Sequence, residues 1–216
     1  MTGTQAGMFD VQAKRKVQRG EVVFSLSFDE RKIIQAIIDL YNDGEPFDVD
    51  PTYSKGRFWE GLPQPVHKFD LYPQTPDTRQ ANSNALPLED GSIGSVMFDP
   101  PFVVAPSPAP GIIRDRFSCY KDVKALWEFY DEAIVEFFRI LRPAGLLAFK
   151  CQDIVSSGKQ HLSHVAIINQ AMKVGFYSED IFILGNRNVL LSPNMANQKH
   201  ARKNHSYFLV FRKPAR

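Results

Sequence analysis

The chain has 216 residues, of which 44% are hydrophobic and 23% are charged, and its formal net charge is +2. This composition is ordinary for a folded protein with a sizeable core, and so small a charge does not by itself indicate a nucleic-acid partner. No apolar run approaches the roughly 20 residues of a membrane span, and residues 1–19 lack the apolar core of a signal peptide. We therefore expect a cytoplasmic protein with no membrane partner.

The apolar pattern of the N-terminal half predicts one helix followed by four strands. Residues 1–24 do not show this pattern and are expected to form a loosely ordered arm. Ser27 and Glu30 fit a capping box, and isoleucines at helical spacing continue to Tyr41. Short strands are then predicted at residues 47–50, 66–71, 78–82 and 95–99.

The C-terminal half continues the alternation of helices and strands. A loop rich in proline and glycine at 103–117 precedes the clearest helix, at 122–141. After a turn at 142–145, the pattern predicts a strand at 146–151, a helix at 162–174, and strands at 177–184 and 207–212. This alternation predicts an α/β fold in which helices cover both faces of a mostly parallel sheet. We expect residues 25–216 to form one domain, with ligands at the carboxyl ends of the strands.

The segment Asp99-Pro100-Pro101-Phe102 is the most informative motif, because it ends a strand with a rigid polar corner. Each proline fixes φ and lacks an N–H donor, which leaves a carboxylate, backbone carbonyl groups and a flat aromatic face. Such a corner suits the exocyclic amino group of a base that has been flipped out of its stack. The alternative is an ordinary turn at the end of a strand, since Asp and Pro are common turn residues.

Polar residues also follow the earlier predicted strands. The loop Asp50-Pro51-Thr52-Tyr53-Ser54-Lys55-Gly56 has one glycine, where a pyrophosphate-binding loop would have three. Asp70 follows about 20 residues later, which is the offset of an acid that holds ribose hydroxyl groups. An amide at Asn82 is placed to contact an adenine ring, with Leu86 nearby. A nucleoside without phosphates fits this pattern, and turn residues without a ligand remain the alternative for Asp70 and Asn82.

These motifs resemble the S-adenosylmethionine-dependent DNA amino-methyltransferases, which modify adenine N6 or cytosine N4. Asp50–Gly56 is similar to the family's Asp-Pro-Phe-x-Gly-x-Gly loop, with Ser54 where glycine is usual, and Asn82 stands where Asp is common. Asp99–Phe102 matches the catalytic motif of the family. The segments 141–147 and 204–213 resemble its Leu-Lys-Pro-Gly-Gly turn and its closing strand. The cofactor motif precedes the catalytic motif, so the order is the non-permuted one.

The resemblance implies a class I methyltransferase-like Rossmann fold with a seven-stranded sheet, S-adenosylmethionine as the cofactor, and no large separate target-recognition domain. Neither the two cysteines nor the histidines show the spacing of metal ligands, so no metal is expected. The implied catalytic residues are Asp99, Pro100, Pro101 and Phe102. The implied cofactor-binding residues are Asp50, Pro51, Thr52, Tyr53, Ser54, Gly56, Asp70, Asn82 and Leu86.

The resemblance further implies that the chain methylates the N6 amino group of adenine in DNA. Basic side chains in the proline-rich loop and near the C-terminus are the expected nucleic-acid contacts, and plain surface loops are the alternative; they are Arg114, Arg116, Arg187, Lys199, Arg202 and Lys203. Other readings are methylation of cytosine N4, of RNA or of protein glutamine, and a catalytically silent subunit with the same fold. The small size of the chain also leaves a homodimer open.

Overall fold

The computed structural model describes residues 22–104, 120–187 and 199–215. These residues form three α-helices, α1 (Glu30–Tyr41), α2 (Val123–Ile140) and α3 (Ser163–Val174). The strands before α2 are β1 (Leu26–Ser27), β2 (Val49–Asp50), β3 (His67–Asp70), β4 (Arg79–Gln80) and β5 (Ile93–Phe98). The strands after it are β6 (Leu141–Cys151), β7 (Ile154–Ser156), β8 (Lys159–His161), β9 (Tyr177–Gly185) and β10 (His205–Arg212). A short 3₁₀ helix spans Arg57–Trp59.

The described strands form an eight-stranded sheet and a separate hairpin. The order in the sheet is β1-β9-β10-β6-β5-β2-β3-β4, and β7 pairs only with β8. Strand β10 is antiparallel to both of its neighbours, and the other pairs in the sheet are parallel. The mostly parallel α/β sheet of the methyltransferase-like class is therefore confirmed. It has one strand more than expected, because the two-residue β1 adds an edge beside β9.

Helices cover both faces of this sheet because side chains of its buried strands alternate between two cores. In β10, Leu209 and Phe211 belong to the core that contains residues of α2 and α3. Phe208 and Val210 point to the other face and join the isoleucines of α1. Because β2, β3, β4, β5 and β6 pair in parallel, their carboxyl ends lie at one edge of the sheet.

Two local predictions are wrong in detail. The N-cap of α1 is Asp29, whose carboxylate accepts from the Arg31 N–H at 3.1 Å. Ser27 belongs to β1 and its hydroxyl oxygen instead accepts from the Asp29 N–H, so the predicted capping box does not form. The turn at 142–145 lies within β6 as a bulge, because Ile93 of β5 pairs with Leu141 and Ser95 pairs with Leu146. In the part of the chain that is described, no helix is both long and apolar enough to cross a membrane.

Candidate active site

A hydrogen-bonded path joins the loop after β2 to the corner after β5. The Asp50 carboxylate accepts from the Thr52 N–H at 2.7 Å and from the Thr52 hydroxyl at 3.0 Å. The same Thr52 oxygen accepts from the Asp99 N–H at 3.1 Å. The second oxygen of Asp50 accepts from the Trp59 indole N–H at 2.6 Å. Asp50 thus fixes both the start of its own loop and the backbone of Asp99.

Asp50 is almost fully buried, and this burial dominates its titration. Burial raises the pKa of its carboxyl from 3.8 to about 7, although the hydrogen bonds from Trp59 and Thr52 act in the opposite direction. The nearby Asp99 adds a further upward contribution. Two carboxyl groups at this edge therefore disfavour each other's ionisation.

The raised pKa of Asp50 predicts a pH dependence of stability. The folded chain holds this proton up to about pH 7, whereas the unfolded chain releases it near pH 3.8. Since the folded state binds the additional proton, the contribution of Asp50 to the free energy of unfolding falls as the pH rises between these two values. We expect wild type to lose free energy of unfolding relative to Asp50→Asn between about pH 4 and about pH 7, measured by urea unfolding. If the difference in free energy of unfolding between the two proteins stays constant over that range, the assigned pKa of Asp50 is contradicted.

The loop after β2 and the acid after β3 contact each other directly. The Asp70 carboxylate accepts from the Ser54 N–H at 2.8 Å and, through its other oxygen, from the Tyr72 N–H at 2.8 Å. Ser54 has φ of +52°, a left-handed conformation that glycine adopts more readily. Ser54 thus takes a backbone conformation that is more usual for glycine. Asp70 orders the loop and keeps further lone pairs on both oxygens.

Gly56 is the second residue of this loop that needs a left-handed backbone, with φ of +72°. A Cβ atom at this position would lie 2.5 Å from the hydroxyl oxygen of Tyr53. Tyr53 is buried, and its hydroxyl donates to the Gln64 side-chain oxygen at 2.7 Å, so its ring is held in place. Residue 56 must therefore be glycine for the loop to close against the tyrosine.

Replacing Gly56 with alanine is expected to lower the free energy of unfolding by about 2–4 kcal/mol, because backbone strain and a steric clash add together. Gly91→Ala is the matched control, since Gly91 has φ of +62° but nothing lies within 4 Å of the added methyl group. This control should lose only about 1 kcal/mol. Denaturant unfolding of both variants measures the difference, and equal losses would show that Tyr53 does not constrain the loop.

The segment after β4 is held against α2. The Leu86 N–H donates to the Glu136 carboxylate at 2.6 Å, and Arg139 pairs with Glu136 at 2.7 Å. Leu86 is buried in the core, whereas Asn82 is exposed and its side-chain oxygen accepts from the Asn84 N–H at 3.2 Å. Asn82 therefore lies at the surface, whereas the Leu86 side chain is part of the hydrophobic core.

The corner after β5 carries the predicted carboxylate together with a lysine from the end of the adjacent strand β6. The Asp99 side chain is 28% exposed, and its Oδ2 lies 3.2 Å from the Nζ of Lys150 on the adjacent strand β6. Burial raises the pKa of Asp99, and the Lys150 ammonium acts in the opposite direction. The carbonyl of Pro101 accepts from the Tyr130 hydroxyl at 3.2 Å. Pro100 is buried and Phe102 is half-buried.

The predicted nucleic-acid contacts fall in three places. Arg114 and Arg116 lie outside the described residues. Arg187 lies over the Phe28 ring, with its guanidinium carbon 4.4 Å from the ring centroid, and it does not line the cavity that the other three share. The other three predicted contacts line a cavity of about 460 Å³ together with β7: Lys199, Arg202 and Lys203.

The β7–β8 hairpin beside this cavity is a feature that the sequence analysis missed. Its two turn residues, Ser157 and Gly158, both have positive φ, as a two-residue hairpin turn requires. The Gly158 carbonyl lies 3.0 Å from the His200 Nε2, which connects the hairpin to the basic segment. Val104, two residues after Phe102, and Gln152, two residues after Lys150, line the same cavity. Within the described ranges, no cluster of three or more potential metal ligands is present.

No protein-family model matches the chain, and no curated protein matches it. Among solved structures, the [4+2]-cyclase SpnF is 13% identical, with 87% of this chain and 86% of that chain covered and a TM-score of 0.50. A candidate DNA modification methylase of Thermus thermophilus, also solved with S-adenosyl-L-methionine, is 20% identical, with 69% of this chain covered and a TM-score of 0.43. This chain spans about half of that protein, 53% of its length.

These identities are low, and a shared fold does not determine an activity. The likeness to SpnF therefore bears on the fold alone. In this chain the antiparallel strand β10 lies between β9 and β6 in a mostly parallel sheet, as the sequence analysis expects of this fold class. Together, these observations give the chain a class I methyltransferase-like Rossmann fold.

Proposed function

We propose that this protein transfers a methyl group from S-adenosylmethionine to the N6 amino group of adenine in a nucleic acid, with DNA preferred over RNA. The observation that carries the proposal is the path from Asp50 through Thr52 to Asp99. It connects the loop expected to hold the cofactor to the carboxylate expected to hold the amine, both at the carboxyl edge of the sheet.

The residues at this edge suit a nucleoside that lacks phosphates. Each Asp70 oxygen accepts one backbone N–H and has a lone pair left for a ribose hydroxyl group. The left-handed backbone at Ser54 and Gly56 keeps the loop compact, and the exposed Asn82 amide is available to the edge of an adenine ring. S-adenosylmethionine held by these residues would supply an electrophilic methyl group, and its sulfur would keep the bonding electron pair on transfer.

Asp99 and Pro100 perform the chemistry on the amine. The lone pair of an adenine amino group is delocalised into the ring, so the nitrogen is a weak nucleophile. The Asp99 carboxylate and the Pro100 carbonyl accept the two N–H bonds, which favours a tetrahedral nitrogen with a localised lone pair. After the new C–N bond has formed, Asp99 accepts the proton that the nitrogen loses and passes it to water.

Access to the amine requires a flipped or single-stranded base. Phe102, next to the prolines, provides a ring on which that base stacks, an interaction worth roughly 1–3 kcal/mol. Lys199, Arg202 and Lys203 line the cavity to which Val104 also belongs, and they supply positive charge for the phosphates on either side of the base.

The test is transfer of labelled methyl groups from S-adenosylmethionine to unmethylated DNA, bulk RNA and protein extract in parallel, followed by nucleoside analysis. We expect N6-methyladenine in DNA. N4-methylcytosine, or label only in RNA or protein, would refute the proposed substrate. If no acceptor is labelled and calorimetry detects no cofactor binding, the proposal fails and a catalytically silent subunit becomes the leading alternative.

A further inference from the structure

The ammonium group of Lys150 lies between two carboxylates from different parts of the chain. Its Nζ is 2.6 Å from Glu30 Oε1, at the start of α1, and 3.2 Å from Asp99 Oδ2, after β5. Only 13% of the Lys150 side chain is exposed. A lysine so enclosed is stable as a cation only when it is paired, and here both partners are acidic.

Two aromatic rings complete the surroundings of this ammonium group. Nζ lies 5.2 Å from the centroid of Phe58 and 5.8 Å from that of Phe208, within the range of a cation–π contact. Burial lowers the pKa of Lys150, but the Asp99 and Glu30 carboxylates outweigh it and leave the pKa raised. Lys150 therefore stays charged at neutral pH and has a fixed position.

Lys150 occupies one oxygen of Asp99 and leaves the other open. In residues 22–104, 120–187 and 199–215, Asp99 Oδ1 accepts no hydrogen bond, whereas Oδ2 accepts from Lys150. A carboxylate held through one oxygen cannot rotate freely. The oxygen left for an incoming amino group is thus determined before the substrate binds.

We propose that Lys150 is a positioning residue, held by Glu30, that fixes the Asp99 carboxylate so that Oδ1 accepts the substrate amine. This inference rests on the proposed function and names two residues that act through Asp99. Lys150 also opposes the effect of burial on the pKa of Asp99 and so favours the ionised carboxylate, which can accept both the hydrogen bond and the later proton.

The charges around Asp99 predict opposite effects of removing its two neighbours. The charged groups that act on its pKa are Lys150 on β6 and Glu30 on α1. Asp99 in turn raises the pKa of its neighbours Asp50 on β2 and Tyr130 on α2. Lys150 lowers the pKa of Asp99 and Glu30 raises it. Lys150→Met should therefore raise the pKa of Asp99, and Glu30→Gln should lower it.

The experiment follows the ¹³C signal of the Asp99 carboxyl carbon through a pH titration of the full chain, which needs neither cofactor nor substrate. The variants are Lys150→Met, Lys150→Arg and Glu30→Gln, with Lys124→Met as the control for loss of an exposed lysine. We expect opposite displacements for Lys150→Met and Glu30→Gln, and a titration close to wild type for Lys150→Arg and Lys124→Met. If Lys150→Met does not fold, the titration of Glu30→Gln tests the proposal by itself. Glu30 is partly exposed, so this substitution is expected to leave the fold intact. An Asp99 titration unchanged in the folded variants would overturn the proposal.

Methyl-transfer kinetics provide the second readout. In Lys150→Met, kcat at neutral pH should fall by about 10- to 100-fold, recover in part at higher pH, and leave the KM for the cofactor within about threefold. A loss found only in the KM for the cofactor would make Lys150 a cofactor ligand and overturn the positioning role. If the titrations behave as expected but wild type methylates nothing, the proposed function fails while the control of Asp99 by Lys150 stands.

Discussion

Asp99→Ala is expected to lower the rate of methyl transfer by about 10²- to 10⁴-fold, the range for loss of a positioned acid–base group. The variant lacks the acceptor for the amine N–H and for the departing proton. Its affinity for S-adenosylmethionine should stay within about threefold of wild type, because Thr52 contacts Asp99 through the backbone N–H, which alanine retains. Single-turnover transfer of a labelled methyl group measures the rate, and calorimetry measures the affinity.

The control for Asp99→Ala removes a carboxylate that lies away from the corner. Glu128 on α2 is 60% exposed and pairs with Lys124, and such surface pairs contribute little to stability. Glu128→Ala should therefore transfer methyl groups at the wild-type rate. Turnover by Asp99→Ala within about tenfold of wild type would contradict the assigned chemistry.

Asp70→Ala is expected to weaken the binding of S-adenosylmethionine by about 10- to 100-fold, since a hydrogen bond to a charged group is worth about 1.5–3 kcal/mol. Two effects contribute. The ribose hydroxyl groups lose their acceptor, and the Ser54 and Tyr72 N–H groups lose the carboxylate that orders the loop. Once the cofactor is bound at saturation, the rate of transfer should recover, because Asp70 does not contact the amine.

Two further variants separate these effects. Asp77→Ala removes an exposed carboxylate that pairs with Lys68 near the same strand, and it should bind the cofactor as wild type does. Asp70→Asn keeps one side-chain acceptor for the loop but lacks the charge, so its affinity should lie between those of wild type and Asp70→Ala. Unchanged affinity in Asp70→Ala, measured by calorimetry, would remove Asp70 from the cofactor site.

The main strands of the sheet could be predicted from the sequence because the residue patterns that indicate them are local. The apolar strands before Asp50, Asp70 and Asp99 and the isoleucine pattern of α1 can each be recognised within a few residues. The carboxyl ends of parallel neighbouring strands must meet at one edge. The contacts from Ser54 to Asp70 and from Thr52 to Asp99 agree with that expectation.

The elements that were missed give weak local signals. Strand β1 has two residues and exists because Leu26 and Ser27 pair with β9, more than 150 residues later in the chain. The β7–β8 hairpin has strands of three residues, too short for the alternation of a half-buried strand to show. In both cases the pairing partner, rather than the segment itself, determines the structure.

The sequence by itself determined the α/β class, the order of the motifs and the positions of Asp50, Asp70 and Asp99 at strand ends, because these depend on short-range periodicity and turn chemistry. Only the tertiary structure decided that Lys150 lies between Asp99 and Glu30, which are 51 and 120 residues away from it in sequence. It also decided that burial raises the pKa of Asp50. The physical reason is that charge interactions and desolvation depend on distance in space and on exclusion of water, which appear only after distant segments have packed together.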